Sequence, residues 1–117
     1  MSRSKYGNRK VQADGYTFDS KAEHNRYIEL QLLLENGYIK DLKVHPVFEL
    51  QKPFKDRSGK RWRAITYEAD FAYIDCFDGK EVPTVEDVKG AETAVFKLKR
   101  KLFLFRYPDI EFVVVPA

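Results

Sequence analysis

The sequence predicts an α/β domain of order αβββαβ, with a mixed central β-sheet flanked by helices. Three observations carry this. Apolar residues recur at helical spacing over 19–36 and again over 92–106. Between them, residues 61–75 alternate with period two, and the Asp78-Gly79 pair turns the chain back into a second strand. A β-branched run, IEFVVV at 110–115, follows the second helix and suits a buried strand.

The elements follow in order. Residues 1–17 are polar and basic, with Gly7 and the Asp14-Gly15 pair, and read as a loosely ordered arm ending in a turn. The remainder, 18–117, reads as a single domain. The first helix starts near Asp19 or Ser20 and carries Tyr27, Leu30, Leu33 and Leu34 before Asn36-Gly37 stops it. A strand over 44–54 holds Val47, Phe48 and Leu50, with Pro46 and Pro53 near its ends. Residues 55–60 form a polar turn containing Gly59.

The strand over 61–75 puts Ile65, Tyr67, Ala69, Phe71 and Tyr73 on one face, and Thr66, Glu68, Asp70 and Ala72 on the other. Its return covers 82–89 and ends at Gly90. The second helix, 92–106, offers Val95, Leu98, Leu102 and Phe105 as its apolar stripe, and Pro108 ends it.

At 117 residues, 44% of them hydrophobic and 15% aromatic, the chain can bury one core and does not read as disordered. No apolar run reaches the roughly 18–20 residues of a membrane span, so no membrane partner is expected. The basic N-terminus lacks the apolar segment of a secretory signal, and a cytoplasmic location follows. A lone cysteine, Cys76, excludes a disulfide framework and a multi-cysteine zinc site. No glycine-rich phosphate loop is present, which argues against a nucleotide cofactor. The net charge is only +3, but Arg3, Lys5, Arg9 and Lys10 cluster at one end and Lys97, Lys99, Arg100 and Lys101 near the other. Such clusters serve as solvated surface or track a polyanion.

Three sets of acids stand where a core-forming chain would place something else. Glu23 falls on the apolar stripe of the first helix, ahead of Tyr27, Leu30 and Leu34. It also completes an S-x-x-E capping box with Ser20, and the two roles are compatible in a first turn. Asp70 interrupts an aromatic strand that disfavours Asp, although Glu68 beside it also fits a solvated face. In the run Val85-Glu86-Asp87-Val88-Lys89, Asp87 and Lys89 share one face and Glu86 takes the other. An ordinary surface ion pair would explain that triplet too.

Together the three sets say more. The hairpin brings Asp70 and Asp87 onto neighbouring strands, where two carboxylates repel and a cation relieves them. Oxygen donors without Cys or His suit Mg²⁺ or Mn²⁺. Such an ion polarises a phosphoryl oxygen and acidifies water, and Lys89 would orient the nucleophile or stabilise charge on phosphorus.

A helix Glu, a strand Asp, D-x-K on the next strand, then helix and strand: this resembles the PD-(D/E)XK nuclease superfamily, over about 14–115. The strings KYGNRKVQADGYTFDSKAEHNRY, YEADFAY and VEDVKGAETAVFKLKRKLF are similar to a family of small phage-encoded proteins grouped there as endonucleases and long carried as a domain of unknown function. Ala69 stands where the superfamily name has Pro, a residue without a chemical role.

The resemblance implies a restriction-endonuclease-like core and a divalent-metal-dependent DNA endonuclease of phage DNA processing or recombination. Glu23, Asp70, Asp87 and Lys89 would be catalytic. Asp70, Asp87, the Val88 backbone carbonyl and Glu23 (directly or through water) would hold Mg²⁺ or Mn²⁺, with Glu68 and Glu86 as lesser candidates.

Lys97 and Lys101, spaced by four on the second helix with Arg100 near them, are expected to contact DNA phosphates. The arm residues Lys5, Arg9 and Lys10 are expected to join them. A homodimer would supply two sites for two strands. His24 reads as a surface residue, His45 as structural at a strand start, and Trp62 as a half-buried anchor with base stacking as the alternative. The rival functions are a non-catalytic nucleic-acid-binding module on the same fold, a resolvase of branched DNA, and an assembly factor with an exposed apolar patch.

Overall fold

The computed structural model describes residues 9–117, so the arm positions Arg3 and Lys5 lie outside the described residues. The described chain opens with a hairpin. Strand β1 (Val11–Ala13) pairs with β2 (Tyr16–Phe18) around the Asp14-Gly15 turn. Order thus begins earlier than the loose arm expected over 1–17. The hairpin is held by Phe18, which is fully buried, and by the Tyr27 hydroxyl donating to Asp14 Oδ2 at 2.8 Å.

Helix α1 (Lys21–Glu35) is capped by Ser20, whose hydroxyl accepts the Glu23 N–H at 3.1 Å. The chain then forms β3 (Ile39–Val44), β4 (Val47–Gln51), β5 (Phe54–Lys55), β6 (Arg61–Trp62), β7 (Ile65–Glu68), β8 (Phe71–Asp75) and β9 (Val82–Lys89). Helix α2 (Ala94–Arg106), capped by Thr93, leads into β10 (Glu111–Pro116). Among the described residues, no helix is long and apolar enough to cross a membrane.

The central sheet has the order β10-β9-β8-β3, with β10 parallel to β9 and the other pairs antiparallel. Read along the chain, α1, β3, β8, β9, α2 and β10 reproduce the expected αβββαβ order around a mixed sheet. The identity of its first strand differs from expectation. The segment 44–54 supplies β4 and β5, which leave the sheet, and β3 takes the place assigned to it. Strand β3 bulges between Lys40 and Lys43, where Asp41 adopts a φ of 56°.

The single strand expected over 61–75 is three strands. β6 pairs with β5, β7 with β4, and β8 with the central sheet. The last break, at Ala69 and Asp70, moves the aromatic alternation from one side of the sheet to the other. Tyr67 and Ala69 belong to the core under α2, with Leu50, Val85, Phe96 and Phe103. Phe71 and Tyr73 belong to the core under α1, with Phe18, Tyr27, Leu30 and Ile39. A one-residue slip of a period-two pattern does this.

The apolar stripe expected on α2 is also corrected. Val95, Leu98 and Phe105 are exposed and Leu102 is half-buried, while Phe96 and Phe103 face the core. Phe103, fully buried, meets Phe48, Tyr67, Tyr107 and Phe112 at ring separations of 5.0, 5.8, 5.0 and 5.5 Å. Aromatic rings bury more area than Val or Leu, and the four-ring nest decides which side of α2 turns inward. Helix α2 thereby clamps the β4–β7 ribbon onto the sheet.

Candidate active site

The acids converge where β8 begins, β9 ends and α1 starts. Each arrives by a separate device. Glu23 sits in the first turn of α1, where the Ser20 cap fixes its backbone. In a full capping box its side chain would return to the Ser20 N–H. Here it bonds the Asp19 N–H loosely, at 3.4 Å, and turns its other oxygen to His45 Nε2 at 2.7 Å. Glu23 is buried to 3% exposure, so that contact is its principal solvent substitute.

His45 occupies the turn between β3 and β4 with a φ of 55°, a left-handed conformation that costs a non-glycine residue energy. The conformation lets its backbone N–H donate to the Asp70 carbonyl at 2.9 Å while its ring reaches Glu23. Expected as merely structural, His45 therefore stands inside the site. His24, one residue from Glu23, instead packs on Phe18 at a ring separation of 5.5 Å.

Asp70 lies in the break between β7 and β8. Its N–H donates to the Glu86 carbonyl at 3.2 Å, and its Oδ2 accepts the Val88 N–H at 2.7 Å. The side chain thus takes a ladder position that the kinked backbone vacates. Glu23, His45 and Asp70 each present a ligand atom, and those atoms lie within 4.8 Å of one another. Burial pushes the Asp70 carboxyl up to about 7, helped by the Glu23 charge and opposed by the Val88 N–H and Lys89.

The β8–β9 register ends with Phe71 opposite Glu86, which leaves Asp70 beside Asp87 just beyond it, although Asp87 is not among the three residues whose ligand atoms lie within 4.8 Å of one another. Asp87 is buried to 2% exposure, and its Oδ2 has no hydrogen-bond partner. Burial pushes it up to about 6, against the pull of Lys89 and the Asp70 N–H. Lys89 lies on the same side of β9, with Nζ 4.9 Å from the centre of the Phe96 ring of α2. The Lys89 carbonyl accepts from Ala117 beside β10. Strand alternation sends the Val88 carbonyl toward Asp70 instead.

Two lesser candidates separate from the site. Glu86 faces α1 from the opposite side of β9, where Arg26 binds both its oxygens at 2.8 and 2.6 Å and the Tyr73 hydroxyl adds a third contact. Its charge is fully spent on that bidentate pair. Glu68 is exposed at the end of β7 and belongs to no such cluster.

Lys97 and Lys101 are exposed on α2, and Arg9 and Lys10 are exposed ahead of β1. Arg100 is committed elsewhere: it grips Glu92 at 3.1 and 3.0 Å and lies 5.1 Å from the Phe96 ring centre. Trp62, expected as a half-buried anchor, is 45% exposed.

The donors that meet, Glu23, His45 and Asp70, suit a divalent cation, being mostly anionic oxygen, and Asp87 stands outside that group with one buried oxygen that has no partner. His45 adds a nitrogen to the all-oxygen set expected, although its Nε2 is engaged with Glu23. Deprotonated together, the carboxylates would be a concentrated negative site, and the Lys89 charge favours the ionised form of both aspartates. No curated protein and no solved structure matches the chain. The pattern of acids nonetheless lies wholly within one recognised sequence family: the model described as "Protein of unknown function (DUF1064)" matches residues 3–116, and the chain belongs to that family.

Proposed function

We propose that this protein is a divalent-metal-dependent DNA endonuclease with the restriction-endonuclease-like core of the PD-(D/E)XK superfamily. The observation that carries this is the buried Asp87 carboxylate beside Asp70, one oxygen of which has no partner, with Glu23 and Lys89 at the same end of the sheet. Stability alone does not account for it, because buried acids without partners destabilise a fold.

Asp70 and Asp87, the Val88 carbonyl and Glu23 would hold Mg²⁺ or Mn²⁺. Such an ion acidifies water and neutralises charge on a phosphoryl oxygen. The protein's own groups do the rest. Asp70 is fixed through the Val88 N–H, so its free oxygen holds a defined direction. Glu23 is aimed by the His45 ring, which makes His45 a positioning residue. Lys89, whose charge favours the ionised form of both aspartates, would donate to the scissile phosphate or to the attacking water as charge builds on phosphorus. Lys97 and Lys101 would seat the DNA backbone, with Arg9 and Lys10 beside them, and a homodimer would present two such sites. Cytoplasmic DNA of a phage-infected cell is the substrate pool this reading implies.

The test is a cleavage assay with supercoiled plasmid, single-stranded DNA and a four-way junction, in Mg²⁺, Mn²⁺ or EDTA. The expected result is metal-dependent cutting that Asp87→Ala abolishes, with the preferred substrate separating a general endonuclease from a junction resolvase. A folded protein that binds DNA and cuts none of the substrates would overturn the enzyme and leave a binding module.

A further inference from the structure

We propose that the β5–β6 end of the long ribbon is a duplex-DNA-binding element aimed by the candidate site itself. The inference rests on the reading that the site acts on DNA, and concerns residues outside that site. Between positions 52 and 63 stand Lys52, Lys55, Arg57, Lys60, Arg61 and Arg63, against one acid, Asp56. All six cations are exposed. Among the described residues, none of them has a carboxylate within ion-pairing distance. The whole chain carries only +3, so without this segment the rest is net negative. Six cations against one acid make this tip alone net +5 in a chain of net +3, which suits a polyanion-binding surface.

The tip is built to hold those charges still. Asp56 Oδ1 accepts the Ser58 N–H, the Ser58 hydroxyl and the Lys60 N–H at 2.8, 2.6 and 3.1 Å, and Oδ2 accepts the Trp62 indole N–H at 2.9 Å. These bonds hold its pKa at about 2, so the one acid is consumed as the anchor of the turn. Phe54 and Trp62 pair across the two strands with rings 6.4 Å apart and 16° from parallel, and Lys60 Nζ lies 4.3 Å from the indole centre.

That geometry selects the partner. A single-strand platform needs free aromatic faces for bases. Here the indole already stacks on Phe54, carries Lys60 and donates to Asp56. What remains presented is cationic side chains on a two-stranded ribbon, a shape that the major groove of B-DNA admits between its phosphate rows. The A-form RNA groove is too deep and narrow for it.

The root of the ribbon links this surface to the chemistry. The His45 N–H donates to the Asp70 carbonyl at 2.9 Å, and the Ala69 N–H to the Pro46 carbonyl at 3.0 Å, so both strands leave from site residues. At about 3.3 Å per residue, the run beyond the packed part of β4, from Gln51 to Arg57, reaches roughly 20 Å further. A duplex gripped at the tip is thereby held at a fixed offset from Asp70.

The test uses the full chain in EDTA, titrated with a fluorescent duplex and with a single strand of equal length across a series of salt concentrations. Parent, a triple Arg57→Ala/Lys60→Ala/Arg61→Ala variant and a Lys80→Ala control are compared, with folding checked by circular dichroism. The triple variant should bind duplex about tenfold or more weakly, with a log-log salt slope smaller by about 2.7, while the control matches the parent. Trp62, the chain's one tryptophan, should change its emission when duplex is added to the parent. An unchanged affinity and slope in the triple variant, no duplex binding by the parent, or preference for the single strand with strong Trp62 quenching each overturns the proposal. Cleavage is read separately in Mg²⁺, and its absence alone would overturn the nuclease reading without touching this one.

Discussion

Glu86 and Asp87 are adjacent and both buried, yet they face opposite sides of β9 and meet opposite fates. Arg26 and Tyr73 satisfy Glu86, and Asp87 keeps an oxygen without a partner. Removing either acid should therefore separate stability from activity. Glu86→Ala takes the shared acceptor from the buried Tyr73 hydroxyl and from Arg26, which keeps Glu29, and should cost roughly 3 kcal/mol in a denaturant titration. Asp87→Ala should lose DNA cleavage without losing stability. Equal destabilisation by the two would contradict the assignment of roles.

The raised Asp70 carboxyl sets a sign for pH dependence. An unfolded Asp releases its proton near pH 4 and the folded one near 7, so between those values the native state binds more protons. Stability should fall as pH rises across that window, and Asp87 adds a drop that ends near pH 6. Calorimetry of the metal-free protein should show the decline, and Asp70→Asn should flatten it and melt higher than the parent at pH 8. Mg²⁺ or Mn²⁺ should raise the melting temperature at pH 8 and much less at pH 5, because protons compete for the same oxygens. A melting temperature flat with pH would count against the buried-acid description.

His45 offers a way to test positioning without breaking the fold. His45→Gly relaxes the left-handed backbone but leaves the buried Glu23 without its main partner, so it should cost less thermal stability than His45→Ala, which loses the same partner and keeps the strained backbone. Without its partner, Glu23 should wander, and cleavage should drop by about 10–100-fold, the usual cost of losing an outer-shell partner. Unchanged cleavage would return His45 to a purely structural role.

The orientation of α2 is testable with one pair. Phe103→Ala empties the centre of the four-ring nest and should cost about 3–5 kcal/mol. Phe105→Ala, at a position 89% exposed, should stay within about 0.5 kcal/mol of the parent. A reversed order would restore the stripe that the sequence suggests.

Legibility followed where the information lies. Both helices were readable because Ser20 and Thr93 cap them locally, and β9 was readable to the same ends because its residues alternate between turn signals. Strand β3 was not, since IKDLKV mixes three charges into a strand that bulges at Asp41. The break at Asp70 leaves no trace in the alternation, because the residues keep their period while the backbone changes partner. On α2, Val95-Leu98-Leu102-Phe105 and Phe96-Phe103 are interleaved apolar stripes, and only the rings waiting in β4, β7 and β10 choose between them. The acids Glu23, Asp70 and Asp87 were visible as residues out of place. His45 was not, because its meeting with Glu23 depends on a turn 22 residues away with a φ of 55°. The basic hairpin was visible only as a polar turn, since its isolation from other carboxylates is a property of the folded chain.

The two hydrogen bonds that join His45 to Asp70 and Ala69 to Pro46 form a neck. Between them the chain runs out along β4 and back along β7, whose Phe48, Leu50 and Tyr67 pack under α2, and the stretch from Gln51 to Ile65 is the excursion beyond that core. Lengthening, trimming or exchanging that excursion would alter what the protein can hold without displacing the groups that hold Glu23 and Asp70. Reach and chemistry are therefore separable traits within one short chain, and a hairpin graft between Gln51 and Ile65 is the natural route to retargeting it.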